Sequence, residues 1–241
     1  MRLVVTRPIA DARALSEKLK ALGHDAMVAP LFTVRPRSPL VIPDRAHVAV
    51  AFTSANAVKA AAAAAAFDRL KAVRAYAVGP QSAEEARRAG FTDVVQGGGD
   101  ASSLIAAITA RENVDSGPVL YLSGNKISVD VAGALETSGF AVDRVVAYDT
   151  AAVEALPAGV YRAIRTGAVD GVLLYSARAA EAWVKCVAEN GLEPYMKAIV
   201  HYCLSAAIAG RLPETVRRRS AERPEETSMF ALLAPQAGER S

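Results

Sequence analysis

The residues best suited to chemistry in this chain are small hydroxyls, two arginines and one tyrosine. Thr6, Thr53, Ser54, Ser82, Ser123, Ser176 and Ser205 each fall just after a short apolar run, mostly where a helical pattern begins. A hydroxyl so placed caps a helix by accepting from an orphan backbone N–H. Several on the carboxyl edge of a parallel sheet, beside the N–H groups of helix starts, would also line a site for carboxylates. Arg7 and Arg178 share that edge. Each can pair with such an anion or form an ordinary surface salt bridge. Tyr148 stands where the run Arg144–Ala147 gives way to a connector ending in Pro157. A phenol there can donate a proton to a departing oxygen, or it can be a half-buried aromatic that plugs the junction.

Other chemistries lack their signatures. There is no Gly-x-Gly-x-x-Gly, no Gly-Lys-Ser/Thr phosphate loop and no Gly-x-Ser-x-Gly elbow. Gly97-Gly98-Gly99 reads as a flexible turn. His24, His47 and His201 are too scattered for a metal site. Cys186 and Cys203 suit a reducing cytoplasm rather than a disulfide framework. The 28 basic and 25 acidic residues leave a net charge of +3, too balanced for a dedicated nucleic-acid binder. Arg217-Arg218-Arg219 reads as a solvated terminal segment. The longest alanine-rich run, from Ala60 to Phe67, is far short of a membrane span. The apolar run before Arg7 is too short for a signal peptide.

The elements that must position these groups alternate. Strands are expected at Leu3–Thr6, Ala26–Ala29, Val48–Phe52, Ala75–Val78, Asp93–Gln96, Val119–Leu122, Arg144–Ala147, Val172–Tyr175 and Ala198–Tyr202. Helices are expected at Ile9–Leu22, Ala55–Phe67, Ser82–Ala89, Ser102–Ala110, Val129–Thr137, Arg178–Ala188 and Ala206–Leu212. With 241 residues, 52% of them hydrophobic, this pattern implies parallel sheets covered by helices on both faces. The halves also repeat. Phe52-Thr53-Ser54-Ala55 returns as Leu174-Tyr175-Ser176-Ala177, the turn Ala77-Val78-Gly79-Pro80 has a partner near Cys203, and the opening βαβ unit returns as Val119–Ala147. A period near 120 is a domain-scale duplication. It implies two similar α/β domains with a ligand between them. Two Pro-bearing connectors, Phe32–Leu40 and Thr150–Pro157, could run side by side as a two-stranded hinge.

Val4-Val5-Thr6-Arg7-Pro8, Phe52-Thr53-Ser54-Ala55-Asn56-Ala57-Val58, Ala77-Val78-Gly79-Pro80-Gln81-Ser82-Ala83 and Val146-Ala147-Tyr148-Asp149-Thr150 together resemble the signature stretches of the uroporphyrinogen-III synthases. Order and spacing match from residue 3 to about 233. The resemblance implies two Rossmann-like or flavodoxin-like domains: residues 1–32 with 158–241, and residues 41–148, joined by connectors 33–40 and 149–157. It implies no cofactor and no metal. The implied substrate is hydroxymethylbilane, a linear tetrapyrrole with eight carboxylates, which is closed to uroporphyrinogen III with loss of water and inversion of the last pyrrole ring. Tyr148 matches the family's proposed acid. The expected substrate-binding set is Thr6, Arg7, Thr53, Ser54, Ser82, Ser123, Gly124, Ser176, Arg178 and Ser205, to which the matching stretches add Asn56 and Gly79. The expected setting is a cytoplasmic monomer, with transient handover from hydroxymethylbilane synthase and neither nucleic-acid nor membrane partners. The chain departs from the family at Ser123-Gly124, where an Arg-Gly pair is usual, and at Leu204-Ser205, where the Val-Gly-Pro turn lacks its glycine. The competing reading is a non-catalytic tetrapyrrole or small-anion sensor of the same fold. Such regulators usually append a DNA-binding helix pair, for which the stretch from Ala237 to Ser241 leaves no room.

Overall fold

The computed structural model describes residues 1–234; the stretch Ala237 to Ser241 lies outside them. In chain order, β1 (Arg2–Val5), α1 (Ile9–Ala21), β2 (Asp25–Val28) and β3 (Phe32–Pro36) come first. Then follow β4 (Ala49–Phe52), α2 (Ala55–Ala62), α3 (Phe67–Leu70), β5 (Arg74–Ala77), α4 (Pro80–Ala89), β6 (Val94–Gln96) and α5 (Ala101–Thr109). Next are β7 (Val119–Gly124), α6 (Val131–Thr137), β8 (Val142–Ala152), α7 (Ala158–Arg165), β9 (Gly171–Leu174) and α8 (Ala177–Glu189). The chain continues with β10 (Val200–Cys203), α9 (Ala206–Ala209), β11 (Arg217–Ser220) and α10 (Glu226–Ala231). Contacts divide the chain into two compact units. The first takes Met1–Thr33 and the described residues from Ala151 onward; the second is Val34–Thr150.

The first unit holds a five-stranded parallel sheet in the order β11-β10-β9-β1-β2. Read from β2, this is the flavodoxin-like order, with a switch point between β1 and β9. Its strands are short and apolar because helices cover both faces. Leu15 and Leu19 of α1, with Met229 of α10, pack on one face. Trp183 and Val187 of α8, with Val160 and Ile164 of α7, pack on the other. Burial of each such leucine contributes about 2 kcal/mol. The α1 pattern stops at Gly23, which takes φ +79° and lets His24 N–H bond back to Leu19 O at 2.9 Å.

Within the first core, His201 is buried between two partners. The Trp183 indole N–H can only donate, so His201 Nε2 accepts it at 3.1 Å. Nδ1 therefore carries the hydrogen and donates to Arg217 O, also at 3.1 Å. Burial lowers the His201 pKa from its ordinary value, and this neutral tautomer holds β11 to the core.

The second unit has a six-stranded sheet in the order β3-β8-β7-β4-β5-β6, parallel from β8 to β6. Ala57, Val58 and Ala61 of α2 and Ala86 of α4 pack on one face; Leu104 and Ile108 of α5 and Leu135 of α6 pack on the other. All six residues of β7 are buried, as a central parallel strand requires. Without β3 the strand order equals that of the first unit. The 122-residue step from Phe52 to Leu174 maps β4 onto β9, and the pairing then maps β7 onto β1. The switch point here lies between β7 and β4.

Several expectations need correction. Arg217-Arg218-Arg219 stays solvated at Arg217 and Arg218 but is not a loose segment: it forms most of β11, paired with β10, and Arg218 donates to Ala209 O and Leu212 O. Backbone pairing outweighs the charge of the run. The helix expected over Ala55–Phe67 breaks into α2 and α3, and α7 has no counterpart among the expected helices. The strand expected to end at Ala147 runs to Ala152. Arg37 N–H bonds Ala147 O at 2.9 Å and Val153 N–H bonds Leu31 O at 3.0 Å, so the two Pro-bearing segments pair antiparallel there. Gly97-Gly98-Gly99 is tied at three places rather than loose: Gly97 N–H to Ala77 O, Gly99 N–H to Val78 O, and Gly98 N–H to Ser103 Oγ.

Candidate functional site

At the carboxyl edge of the first sheet, the expected site residues have partners within the unit. Thr6 is buried and donates to Leu173 O at 2.7 Å, tying β1 to β9 across the switch point. Arg7 pairs with Asp11 at 3.1 Å and Glu226 at 3.7 Å, and lies over the Tyr175 ring. Ser176 and Ser205 are helix caps, accepting from Ala179 N–H and Ile208 N–H. The Arg178 guanidinium lies 4.2 Å from the Phe32 ring centroid and has no carboxylate partner among the described residues. The Tyr175 hydroxyl is buried without a hydrogen-bond partner, and desolvation pushes its pKa well up.

The second sheet's edge is different. Between β7, β4 and the starts of α5 and α6 lies a cavity of about 440 Å³, lined by Thr53, Gly99, Tyr121, Gly124, Lys126, Val131 and Tyr148 among others. Ligands of open parallel sheets bind at such a switch point. Thr53 Oγ1 lies 3.4 Å from the Tyr121 hydroxyl. Burial raises the Tyr121 pKa, so the phenol keeps its proton. The two nearest helix starts are capped by Asp100, which accepts from Ser103 N–H at 2.7 Å, and Asp130, which accepts from Gly133 N–H at 3.1 Å. The Ser103 hydrogen bonds hold the Asp100 carboxyl below its usual range.

Tyr148 is placed by a bulge. Ser123 faces Val146 but Gly124 faces Tyr148, so Ala147 is the extra residue. That step brings the phenol opposite Gly124, where normal alternation would have turned it to the other face. A Cβ on Gly124 would stand 2.8 Å from two Tyr148 ring carbons and 3.0 Å from its hydroxyl oxygen. Only glycine admits the ring. Asn125 clamps the backbone on either side: its N–H donates to Tyr148 O at 3.0 Å, and its side-chain oxygen accepts from Thr150 N–H at 2.9 Å. The Tyr148 ring is half-buried, and its hydroxyl has no protein partner among the described residues.

The remaining expected residues lie apart from this cavity wall. Ser54 caps α2 through Asn56 N–H. Gly79 caps α4, and Ser82 is a buried residue inside α4 rather than before it. Ser123 is also inside its strand, fully buried, and accepts from Arg144 Nε at 3.1 Å. Sequence reasoning did not single out Tyr121, Lys126 or Arg144. The two-residue period of β7 was the available signal for Tyr121, which shares a face with Ser123. A His47–Asp143 pair at 2.8 Å, with Arg45 on the same carboxylate, sits at the amino end of β8, away from the cavity. No three His, Cys, Asp or Glu residues gather into a metal-binding group among the described residues. No helix of the described residues is long and apolar enough to cross a membrane.

These features define a duplicated flavodoxin-like α/β protein with a polar, tyrosine-bearing cavity at one switch point, a type of site suited to an organic anion. The family profile described as uroporphyrinogen-III synthase HemD matches residues 13–231, and the chain belongs to that family. It is accordingly a cyclising hydro-lyase of tetrapyrrole biosynthesis. Its fold is similar to that of uroporphyrinogen-III synthetase from Helicobacter pylori 26695, with TM-score 0.63, 17% identity, and 97% and 98% of the two chains covered. It is also similar to a mutant uroporphyrinogen III synthase from the extremely thermophilic bacterium Thermus thermophilus, with TM-score 0.52, 16% identity and 97% of each chain covered. No curated protein sequence matches significantly.

Proposed function

We propose that the second unit's cavity receives the hydroxymethyl end of hydroxymethylbilane and that Tyr148 is the general acid. The observation carrying this reading is the Tyr148 phenol, held against Gly124 at the cavity with its hydroxyl unpartnered by protein. The pyrrole nitrogen lone pair expels the hydroxyl, breaking the C–O bond. Tyr148 transfers its proton to the departing oxygen, which leaves as water. The substituted α-carbon of the last pyrrole ring then attacks the resulting cationic methylene carbon. Its bond to the old methylene bridge breaks, leaving that bridge carbon as a cation stabilised by the neighbouring pyrrole nitrogen. The free α-carbon of the inverted ring bonds to it, and the proton lost from that α-carbon on rearomatisation returns to the phenolate. Holding the reacting carbons together in the cavity selects the inverted-ring product over simple end-to-end closure. Thr53 and Tyr121 supply further hydroxyls to the same space, and Lys126 supplies positive charge for the carboxylates.

The test is to give purified protein freshly generated hydroxymethylbilane and separate the isomers, for the wild type and Tyr148→Phe. Type III product from the wild type, with slow turnover in the variant, is the expected result. Unchanged turnover in Tyr148→Phe overturns the acid role. Our reading of the setting is a cytoplasmic monomer that takes its substrate from hydroxymethylbilane synthase. The two buried, unpaired cysteines Cys186 and Cys203 support a reducing compartment, and sedimentation at working concentration tests the monomer.

A further inference from the structure

Arg144 of β8 stands opposite Tyr121 of β7 in the parallel register, so both side chains leave the sheet on the same face. That face is packed by α5 and α6, and the cavity opens at its carboxyl edge. The Arg144 Nε–H donates to Ser123 Oγ at 3.1 Å. Ser123 is two residues nearer that edge than Tyr121, so the side chain runs up the sheet toward the cavity edge, beside the wall residue Tyr121 although neither Arg144 nor Ser123 is itself part of the wall. Ser123 is fully buried, which makes this tether a fixed point. The two terminal nitrogens of the guanidinium have no hydrogen bond and no ion pair among the described residues. Nearby carboxylates do not neutralise it. Asp130 and Asp100 both cap helices, and Asp143, the next-door residue on β8, serves Arg45 and His47 from the opposite face. The electrostatic influence of Arg144 reaches the Tyr121 phenol, opposing the effect of burial there.

We propose that Arg144 is a carboxylate-binding residue of this site, its outer pair of nitrogens taking one carboxylate of the tetrapyrrole while Ser123 fixes the angle of the fork. A planar fork oriented by one N–H and open at the other edge matches a carboxylate bidentately. The inference rests on the reading that this cavity takes the bilane. Because Arg144 is exposed and makes one hydrogen bond, replacing it leaves the core intact.

The experiment measures kcat and KM for hydroxymethylbilane in Arg144→Ala and Arg144→Lys at low and high salt. Direct binding of uroporphyrin, a stable octacarboxylate, is followed alongside by fluorescence quenching. Loss of a charge-assisted pair raises KM about tenfold or more in Arg144→Ala, with kcat little changed, a shallower salt dependence and an unaltered melting temperature. Lysine restores part of the KM, keeping the charge but losing the fork. Wild-type KM, salt dependence and uroporphyrin binding in Arg144→Ala would overturn the proposal. If instead the wild type yields no type III product while Arg144→Ala still weakens uroporphyrin binding, the catalytic reading fails and the anion subsite stands.

Discussion

The two units carry the same sheet order, yet their carboxyl edges have gone opposite ways. Positional counterparts make the difference concrete. The pairing maps Val5 onto Tyr121 and hence Arg7 onto Ser123, while the 122-residue step maps Tyr175 onto Thr53. In the first unit, Arg7 and Tyr175 stack on each other and Arg7 is held by Asp11 and Glu226. Thr6 bridges the two central strands. The edge is filled from within. In the second unit, small Ser123 is buried at one of those places and Thr53 at the other stands on the wall of a cavity of about 440 Å³. Its nearby guanidinium comes from the neighbouring strand, as Arg144, and its tyrosine from a bulge. A duplicated fold thus sets the place of a site, while local side-chain volume and partner choice decide whether the site is open.

Four measurements break or sharpen this contrast. The largest effect is expected in the open edge: Tyr148→Phe lowers turnover by roughly 10²-fold, the low end for a general acid, with KM little changed. The pyrrole nitrogen already drives the loss of the hydroxyl, so the acid supplies only part of the barrier reduction. Steady-state kinetics with melting temperature separates this from a packing defect. Gly124→Ala comes next. Its Cβ would meet the Tyr148 ring at 2.8 Å, so the ring must move. Turnover falls about tenfold, an ångström-scale misplacement of a reacting group, and stability drops by about 1–3 kcal/mol through overpacking. Wild-type kinetics in this variant would show that the Tyr148 position is not held by Gly124.

The first unit should respond in stability rather than in catalysis. His201 is neutral in the fold and its pKa is lowered by burial, so the unfolded chain binds the extra proton more readily. Stability is therefore full above the ordinary value of 6.5 and declines as pH falls below it. Melting temperatures from pH 8 to 5 should show this decline in the wild type and a flatter profile in His201→Gln; parallel profiles would remove the role. The smallest effect is expected for Tyr175→Phe, which deletes an unsatisfied buried hydroxyl. It should stabilise by about 1 kcal/mol without altering turnover. A large loss of turnover would mean that the first unit's edge takes part in the chemistry.

The alternation of strands and helices was legible because buried parallel strands are short apolar runs and their helices carry the three-to-four spacing of Leu15 and Leu19. The duplication was legible from motifs. What escaped reading had no local signal. Arg217-Arg218-Arg219 carries charge that masks a strand, because a strand edge needs only backbone pairing on β10. The bulge at Ala147 depends on register with β7 and leaves no mark in composition. Ser176 and Ser205 satisfied their own helices, since a cap and a ligand compete for the same hydroxyl. Arg144 looked like one more charged residue until the neighbouring strand placed Ser123 beside it.

The position of β1 in the middle of its sheet has a consequence for synthesis. β1 leaves the ribosome before the rest of its sheet, but its inner neighbour β9 follows only after Asp170, the residue whose carboxylate receives Arg2 N–H from 168 positions away. At typical elongation rates that is a wait of roughly ten to thirty seconds. The contiguous second unit ends at Thr150, so its chain is complete roughly one to four seconds before β9 appears, while Leu3, Val4 and Val5 still lack half their sheet. The order of synthesis thus makes the whole chain of the unit that bears the cavity available before the first unit has its central strand pair.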